Sequence, residues 1–443
     1  MQTLAQLTSG KLKHSKRLQL VENLTVFPKE ILTLADSLEV LDLSNNQLSE
    51  LPDEFSCLKR LKILFLSQNN FRQFPEILKH CPNLEMIGFK SNKITTVAEN
   101  SLPEKTRWLI LTDNKISALP DSMGDLGNLQ KLMLAGNRIS SLPESMAKCK
   151  NLELIRLSEN RLSQLPNWLL QLPKLAWLAF SGNPISAYPE TNVNDIAQVK
   201  GDDIEIGKCI GEGASGVIYQ ANWLNKPSSL INNLTPIAVK VFKGSITSDG
   251  SPDDELDACL QVGFHPNLVS VTALLKAEDK LGLVMNLIPT SYYNLGGPPS
   301  LVSCTRDTFD GSKQYNNQEI QSICVAMLNA IIHMHSKSIC HGDIYAHNIL
   351  VNQDCDLLFG DFGAASNFKA LPQAQQHYIE IIELRAFAYL LDDLLSLASD
   401  RDGQINLYQE LAKLRDALLN NGISSVISAS KTIGLFESIY LKQ

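Results

Sequence analysis

Leu38-Glu39-Val40-Leu41-Asp42-Leu43-Ser44-Asn45-Asn46-Gln47-Leu48 is the stretch whose pattern decides the fold of the first part of the chain. Its frame, L-x-x-L-x-L-x-x-N-x-L, returns along residues 1–190 with asparagines at 23, 46, 69, 92, 114, 137, 160 and 183; the intervals are 23 residues except one of 22. A fixed period of this length predicts a solenoid of about eight stacked turns. In each turn, leucines two residues apart predict a short strand with one face inward. The asparagine amide can then satisfy backbone groups that the tight turn leaves unpaired. Leu51-Pro52, Leu119-Pro120, Leu142-Pro143 and Leu165-Pro166 end the strand side and start the return. The first turn departs from the frame, with Ser15 in place of a leucine and Pro28 one residue early, as a terminal capping unit would.

The pattern is the leucine-rich-repeat signature, and it implies an α/β solenoid with a concave strand face. Between the framework leucines run two variable columns: Arg17, Val40, Ile63, Met86, Trp108, Lys131, Leu154, Trp177, and Gln19, Asp42, Phe65, Gly88, Ile110, Met133, Arg156, Ala179. Many of these are apolar although they point away from the repeat core. Such a stripe marks a protein-binding surface, with Phe65, Trp108 and Trp177 as the expected anchors. The alternative is that the rest of the chain covers part of it.

Composition bounds the remainder. At 443 residues the chain holds two domains more comfortably than one. With 44% hydrophobic and 19% charged residues and a net charge of −8, nothing electrostatic invites nucleic acid or an anionic membrane. Nine cysteines lack the paired spacing of zinc ligands or a disulfide framework, which suits a reducing, cytoplasmic compartment. The N-terminus lacks a signal pattern, and no apolar run approaches the roughly 18 to 20 residues that span a bilayer.

Residues 191–203 are short and polar and are expected to be a linker. Beyond them, Gly211-Glu212-Gly213-Ala214-Ser215-Gly216-Val217 lies between the apolar runs 204–210 and 217–219. A glycine-rich hairpin lets backbone N–H groups approach phosphates, and the following valine can cover a purine. Ile237-Ala238-Val239-Lys240-Val241 is an apolar strand interrupted by one lysine, a point charge on a rigid element. A lysine so placed needs a carboxylate partner; Glu255 is the candidate, with Asp254 and Asp257 as rivals. The decisive cluster is His341-Gly342-Asp343-Ile344-Tyr345-Ala346-His347-Asn348, followed eighteen residues after Asp343 by Asp361-Phe362-Gly363. Phosphoryl transfer requires a carboxylate to orient the acceptor hydroxyl and oxygen ligands to hold magnesium. Asp343 fits the first role, and Asn348 with Asp361 the second. His341 is expected to pack behind the loop without doing chemistry.

These motifs make residues 204 to about 395 resemble the eukaryotic-type protein kinase fold, and with the repeats the chain resembles the soluble leucine-rich-repeat protein kinases. The resemblance implies an α+β two-lobed domain over 204–443, with an N-lobe at 204–288 and a shortened C-lobe at 289–443. It implies ATP under Ile210 to Ile218, with Lys240 on its phosphates, Met285 as gatekeeper and residues 286–288 as hinge. Val217, Ala238 and Leu350 would sandwich the adenine. Asp343 would be the catalytic base, assisted by Lys240 and Asn348, and Asn348 with Asp361 would bind Mg2+. The implied activity is transfer of phosphate to protein hydroxyls, serine or threonine rather than tyrosine.

Four departures qualify the transfer. Gly342 replaces the arginine that usually precedes the catalytic aspartate, so a pocket for an activation-loop phosphate is not expected. Tyr345 stands where serine/threonine kinases commonly have a lysine, and His347 where tyrosine kinases often have an arginine. No Ala-Pro-Glu follows Asp361-Phe362-Gly363, and only about eighty residues remain after Asp361. Two other readings therefore stay open: a small-molecule phosphotransferase of the aminoglycoside or choline kinase type, and a catalytically weak kinase-fold scaffold.

Overall fold

The computed structural model describes residues 2–188, 196–213, 216–231, 235–243, 247, 249–277, 280–399, 405–420 and 431–434. The chain forms two compact units that divide between Leu175 and Ala176. The repeat spacing had placed this boundary at residue 190. The eighth repeat strand thus belongs to the second unit.

In the first unit, seven three-residue strands pair in parallel: β1 Arg17–Gln19, β2 Val40–Asp42, β3 Ile63–Phe65, β4 Met86–Gly88, β5 Trp108–Ile110, β6 Lys131–Met133 and β7 Leu154–Arg156. Their register places Leu18, Leu41, Leu64, Ile87, Leu109, Leu132 and Ile155 in one column, and all of them are fully buried. The asparagines form the expected ladder. Asn114 Nδ2 donates to the carbonyls of Phe89 and Leu111 at 2.9 and 3.0 Å, while its Oδ1 accepts from the Ile94 N–H at 2.9 Å. Asn23, expected to head the series, does not join it: it is exposed with φ 54°, and Asn46 takes the Leu20 carbonyl at 2.8 Å. The chain begins with the short helix α1, Leu4–Thr8; the return path is 3-10 helical after Pro28, Pro52, Pro75, Pro120 and Pro143 and is the short helix α2, Asn167–Leu170, after Pro166, because proline presets an extended entry and removes a donor at the turn's start.

The second unit opens with β8, Trp177–Ala179. Its six-stranded sheet has the order β10-β11-β12-β14-β13-β9, formed by β9 Ala197–Val199, β10 Ile204–Glu212, β11 Gly216–Trp223, β12 Ile237–Phe242, β13 Val271–Ala277 and β14 Lys280–Asn286. Strand β9 lies within the expected linker, and it pairs in parallel with β13. The amphipathic helix α3, Pro252–Val262, packs Leu256 on the sheet residues Leu274, Leu283 and Met285. The helical half contains α4 Asn317–Ser336, α5 Gln373–Ser396 and α6 Ile405–Asn420. Helix α4 starts at a capping box, in which the Asn316 and Glu319 side chains exchange bonds with each other's backbone N–H. The short strand β15, Tyr293–Asn294, precedes α4, and between α4 and α5 lie β16 Ile339–Cys340, β17 Ile349–Val351, β18 Leu357–Phe359 and β19 Ser366–Asn367.

Candidate active site

Lys240 sits in the middle of β12, facing Ile218 of β11 and Leu283 of β14 in the register, and is 8% exposed. Helix α3 brings its partner. Ser251 caps the helix by accepting from the Asp254 N–H, Pro252 occupies the first turn, and Glu255 follows one turn in, where it is buried. Lys240 Nζ donates to Glu255 Oε1, so Glu255 and not Asp254 or Asp257 holds the lysine. Asp361 Oδ1 lies 3.8 Å from the same ammonium. Burial draws the Lys240 pKa down, but Glu255 and then Asp361 outweigh it, and the ammonium stays charged above the ordinary lysine value.

In the glycine loop, steric need is concentrated at one position. A Cβ at Gly216 would meet the Val241 carbonyl at 2.7 Å and the Lys240 stem at 3.2 Å, whereas Gly213 has nothing within 4 Å. Gly216 therefore permits the close approach of the hairpin to the lysine strand. Glu212 pairs with Lys243 at the rim, and Ile210 is exposed. Ala214 and Ser215 lie outside the described residues. Ala238 stands opposite Met285 in the register, both buried, and Val217, Ile218 and Leu350 are half-buried. In the expected hinge, the Leu287 N–H is already donated to the Pro236 carbonyl at 2.7 Å. A cavity of about 1030 Å³ opens beside Cys259, Phe264 and Val271. It shares the hinge residues 286–288 with the expected nucleotide contacts but includes none of Lys240, Asp343, Asn348 or Asp361.

The catalytic-loop residues come together as the spacing implies. Asn348 Nδ2 donates to the Asp343 carbonyl at 3.0 Å and to its carboxylate at 2.8 Å. This orients the carboxylate and leaves the amide oxygen of Asn348 as the atom suited to a hard cation. Asp361 adopts the left-handed conformation, φ 61° and ψ 77°, with its side chain half-exposed and Oδ1 near the Gly363 N–H at 3.4 Å. The two oxygen donors fit magnesium. Among the described residues no group of three or more His, Cys, Asp or Glu side chains could cage a metal by itself, so such an ion would need further oxygens from phosphate. His341 is fully buried, stacks on Phe359 at 4.0 Å and bonds the Gly360 carbonyl at 3.1 Å. Burial lowers its pKa, in keeping with a packing role.

Two supporting residues escaped the sequence reading. Glu383, buried in α5, accepts from the Gly342 N–H at 2.8 Å with one oxygen and bonds His335 Nε2 at 2.8 Å with the other. Its only signal was a carboxylate within a helical pattern that also carries Glu380 and Arg385. Asp307 bonds the His347 ring at 2.7 Å and its N–H at 3.2 Å, and it comes from a loop without periodicity that gave no signal. Trp177 overturns its expectation as an exposed anchor. It is 1% exposed, because on the second unit its ring is covered by Tyr345 and Tyr389, with centroids at 4.6 and 5.3 Å. The alternative that the chain itself covers part of the stripe holds for this residue.

Comparison with known proteins agrees with both halves. A family described as "Protein kinase domain" matches residues 204–381, and one described as "Leucine rich repeat" matches 13–71 and 127–185. Fibroblast growth factor receptor 1 of Xenopus laevis is 23% identical over 38% of this chain and 21% of its own length. Serine/threonine-protein kinase pakF of Dictyostelium discoideum is 24% identical over 40% of this chain and 13% of its own. The negative regulator of sexual conjugation and meiosis of Schizosaccharomyces pombe is 25% identical over 43% and 40%. The chain thus spans well under half the length of these curated relatives. A solved leucine-rich-repeat protein of Leptospira interrogans is 30% identical over 39% of this chain and 51% of that one, with a TM-score of 0.36. Fold and site together define a leucine-rich-repeat protein with a protein kinase domain. In this chain the repeats come first and the kinase domain follows from residue 204.

Proposed function

We propose that the protein is an ATP- and Mg2+-dependent protein kinase acting on serine or threonine hydroxyls in the cytoplasm, with its repeats recruiting a protein partner. The observation that carries the reading is the joint assembly of two groups of residues: Lys240 with Glu255 and Asp361, and Asp343 with Asn348. In kinases both the lysine–glutamate ion pair and the metal-binding aspartate must be in place for transfer. Lys240 binds the nucleotide phosphates, and the backbone of Gly211, Gly213 and Gly216 lets the phosphates approach. Asp343, oriented by Asn348, accepts the proton of the acceptor hydroxyl. The Asn348 amide oxygen and the Asp361 carboxylate would hold Mg2+, which would supply charge neutralisation on the phosphates. The serine/threonine acceptor is supported by the similarity to pakF. The cytoplasmic site is supported by nine cysteines that lack the paired spacing of a disulfide framework. Among the described residues no helix is long and apolar enough to cross a membrane.

Partner binding is supported by the half-buried residues Val40, Ile63, Phe65, Trp108 and Ile110 on β2, β3 and β5, with Lys131 Nζ 4.3 Å over the Trp108 ring. The test of the enzyme is Mg2+-dependent label transfer from ATP to protein or to the chain itself. Lys240→Ala and Asp343→Ala should abolish it; transfer that persists in the Asp343 variant sinks the reading. One feature favours a second reading, in which the acceptor is a small alcohol: only Ala364 to Pro372 separate Gly363 from α5, and no Ala-Pro-Glu lies between them. ATP turnover stimulated by choline or an aminoglycoside, with no protein labelled, would favour it.

A further inference from the structure

Strand β8, which opens the second unit, meets the catalytic loop and the segment after Gly363. The Trp177 indole N–H donates to the Ile344 carbonyl at 3.0 Å. Its ring lies parallel to Tyr345 within 4° and to Tyr389 of α5 within 17°. The Phe180 N–H donates to Ser366 Oγ at 2.9 Å, and Asn367 Nδ2 donates to the Ala187 carbonyl at 3.4 Å. Gly342 has φ +72°, and a Cβ there would lie 2.7 Å from the carbonyl oxygens of both Leu178 and Ala364. No L-residue fits that gap without moving backbone. The loss of the arginine at position 342 and the presence of β8 beside the loop are therefore one steric fact.

A catalytic loop of this kind must be held in place. The route by which a phosphate on a downstream segment anchors the loop through an arginine is closed here, since Gly342 supplies no charge. The segment from Ala364 to Pro372 is short and enters β19, whose pairing with β16 leaves little chain for a platform of its own. We infer that Trp177 is a positioning residue for the catalytic loop: through the Ile344 carbonyl and the Tyr345 ring it holds the backbone that carries Asp343, supplying from a repeat strand the support that a phosphorylated segment gives elsewhere. The loop is then set without modification, and the kinase half depends on the eighth repeat for its rate.

This inference rests on Asp343 being the catalytic base, and the test separates the two. Full-length wild type, Asp343→Asn, Trp177→Phe and Trp177→Ala are assayed for Mg2+-ATP-dependent labelling of a peptide library containing serine, threonine and tyrosine, with affinity for a fluorescent ATP analogue measured in parallel. Trp177→Phe keeps a ring but not the N–H donor, and its kcat should fall about fivefold, the size of one lost hydrogen bond. Trp177→Ala should lose about fiftyfold, with nucleotide affinity in both within about twofold of wild type, since Lys240 and Glu255 are untouched. Labelling that survives Asp343→Asn overturns the kinase reading and this inference with it. Labelling lost in Asp343→Asn but unchanged in Trp177→Phe overturns the inference alone, and that variant decides even if Trp177→Ala does not fold. A kcat that falls only in step with nucleotide affinity also overturns it.

Discussion

At the scale of single residues, Lys240 and Glu255 illustrate how a buried charge is tolerated. Each is nearly inaccessible, and each is bearable only because the other is there. Lys240→Met should abolish transfer and also lower stability by about 3 kcal/mol, because the Glu255 carboxylate loses its ammonium. Adding Glu255→Gln should restore most of the stability and none of the activity; urea unfolding and the label-transfer assay read the two effects separately. Asp393 shows the opposite balance. Burial lifts its carboxyl to about 6, Arg306 pulling it down while Asp307 and Asp392 add to the rise. The native state thus holds this proton more tightly than the unfolded chain does. The stability it contributes is complete below about pH 4 and is lost as pH rises through about 6, with a slope of at most about 1.4 kcal/mol per pH unit. Urea midpoints compared between pH 4.5 and 6.5 should show Asp393→Asn losing less stability over that range than wild type; equal losses would refute the assignment.

At the scale of elements, the asparagine ladder and the loop around Gly342 each depend on the backbone groups they approach. Asn114→Ala would leave the Ile94 N–H buried without its side-chain acceptor, while the Phe89 and Leu111 carbonyls keep the amides of Asn92 and Asn137. The expected cost is about 1 to 3 kcal/mol, measured as a shift of the first unit's unfolding transition. Gly342→Ala meets two carbonyl oxygens at 2.7 Å and an unfavourable positive φ. It should lower the melting temperature and kcat together, while a wild-type melting temperature would contradict the steric argument. The repeat strands were legible because their period recurs seven times. Strand β9 was not legible, because three residues in a polar stretch carry no pattern and join the sheet only when β13 offers an edge. Glu255 was the candidate in sequence, with Asp254 and Asp257 as rivals, and the turn of α3 puts its carboxylate on Lys240.

At the scale of the whole molecule, the division at Leu175 and Ala176 means that the repeat pattern and the compact units do not coincide. A fragment of residues 196–443 would bare Tyr345 and Tyr389, which Trp177 covers in the intact chain. It should bind a nucleotide analogue yet transfer phosphate at least tenfold more slowly than the full chain; equal rates would show that the kinase half is self-sufficient. The repeat class and the kinase fold were determined by the amino-acid sequence itself, which also supplied the residues proposed to handle phosphate. Periodicity and motif spacing are local properties, written in residues close together along the chain. That Glu255 and neither rival meets Lys240, why residue 342 must be glycine, and that Trp177 is buried were settled only in tertiary structure, because each depends on surfaces separated by 15 to 167 residues along the chain. An outward-facing tryptophan reads the same in sequence whether a foreign protein or the chain's own catalytic loop covers it.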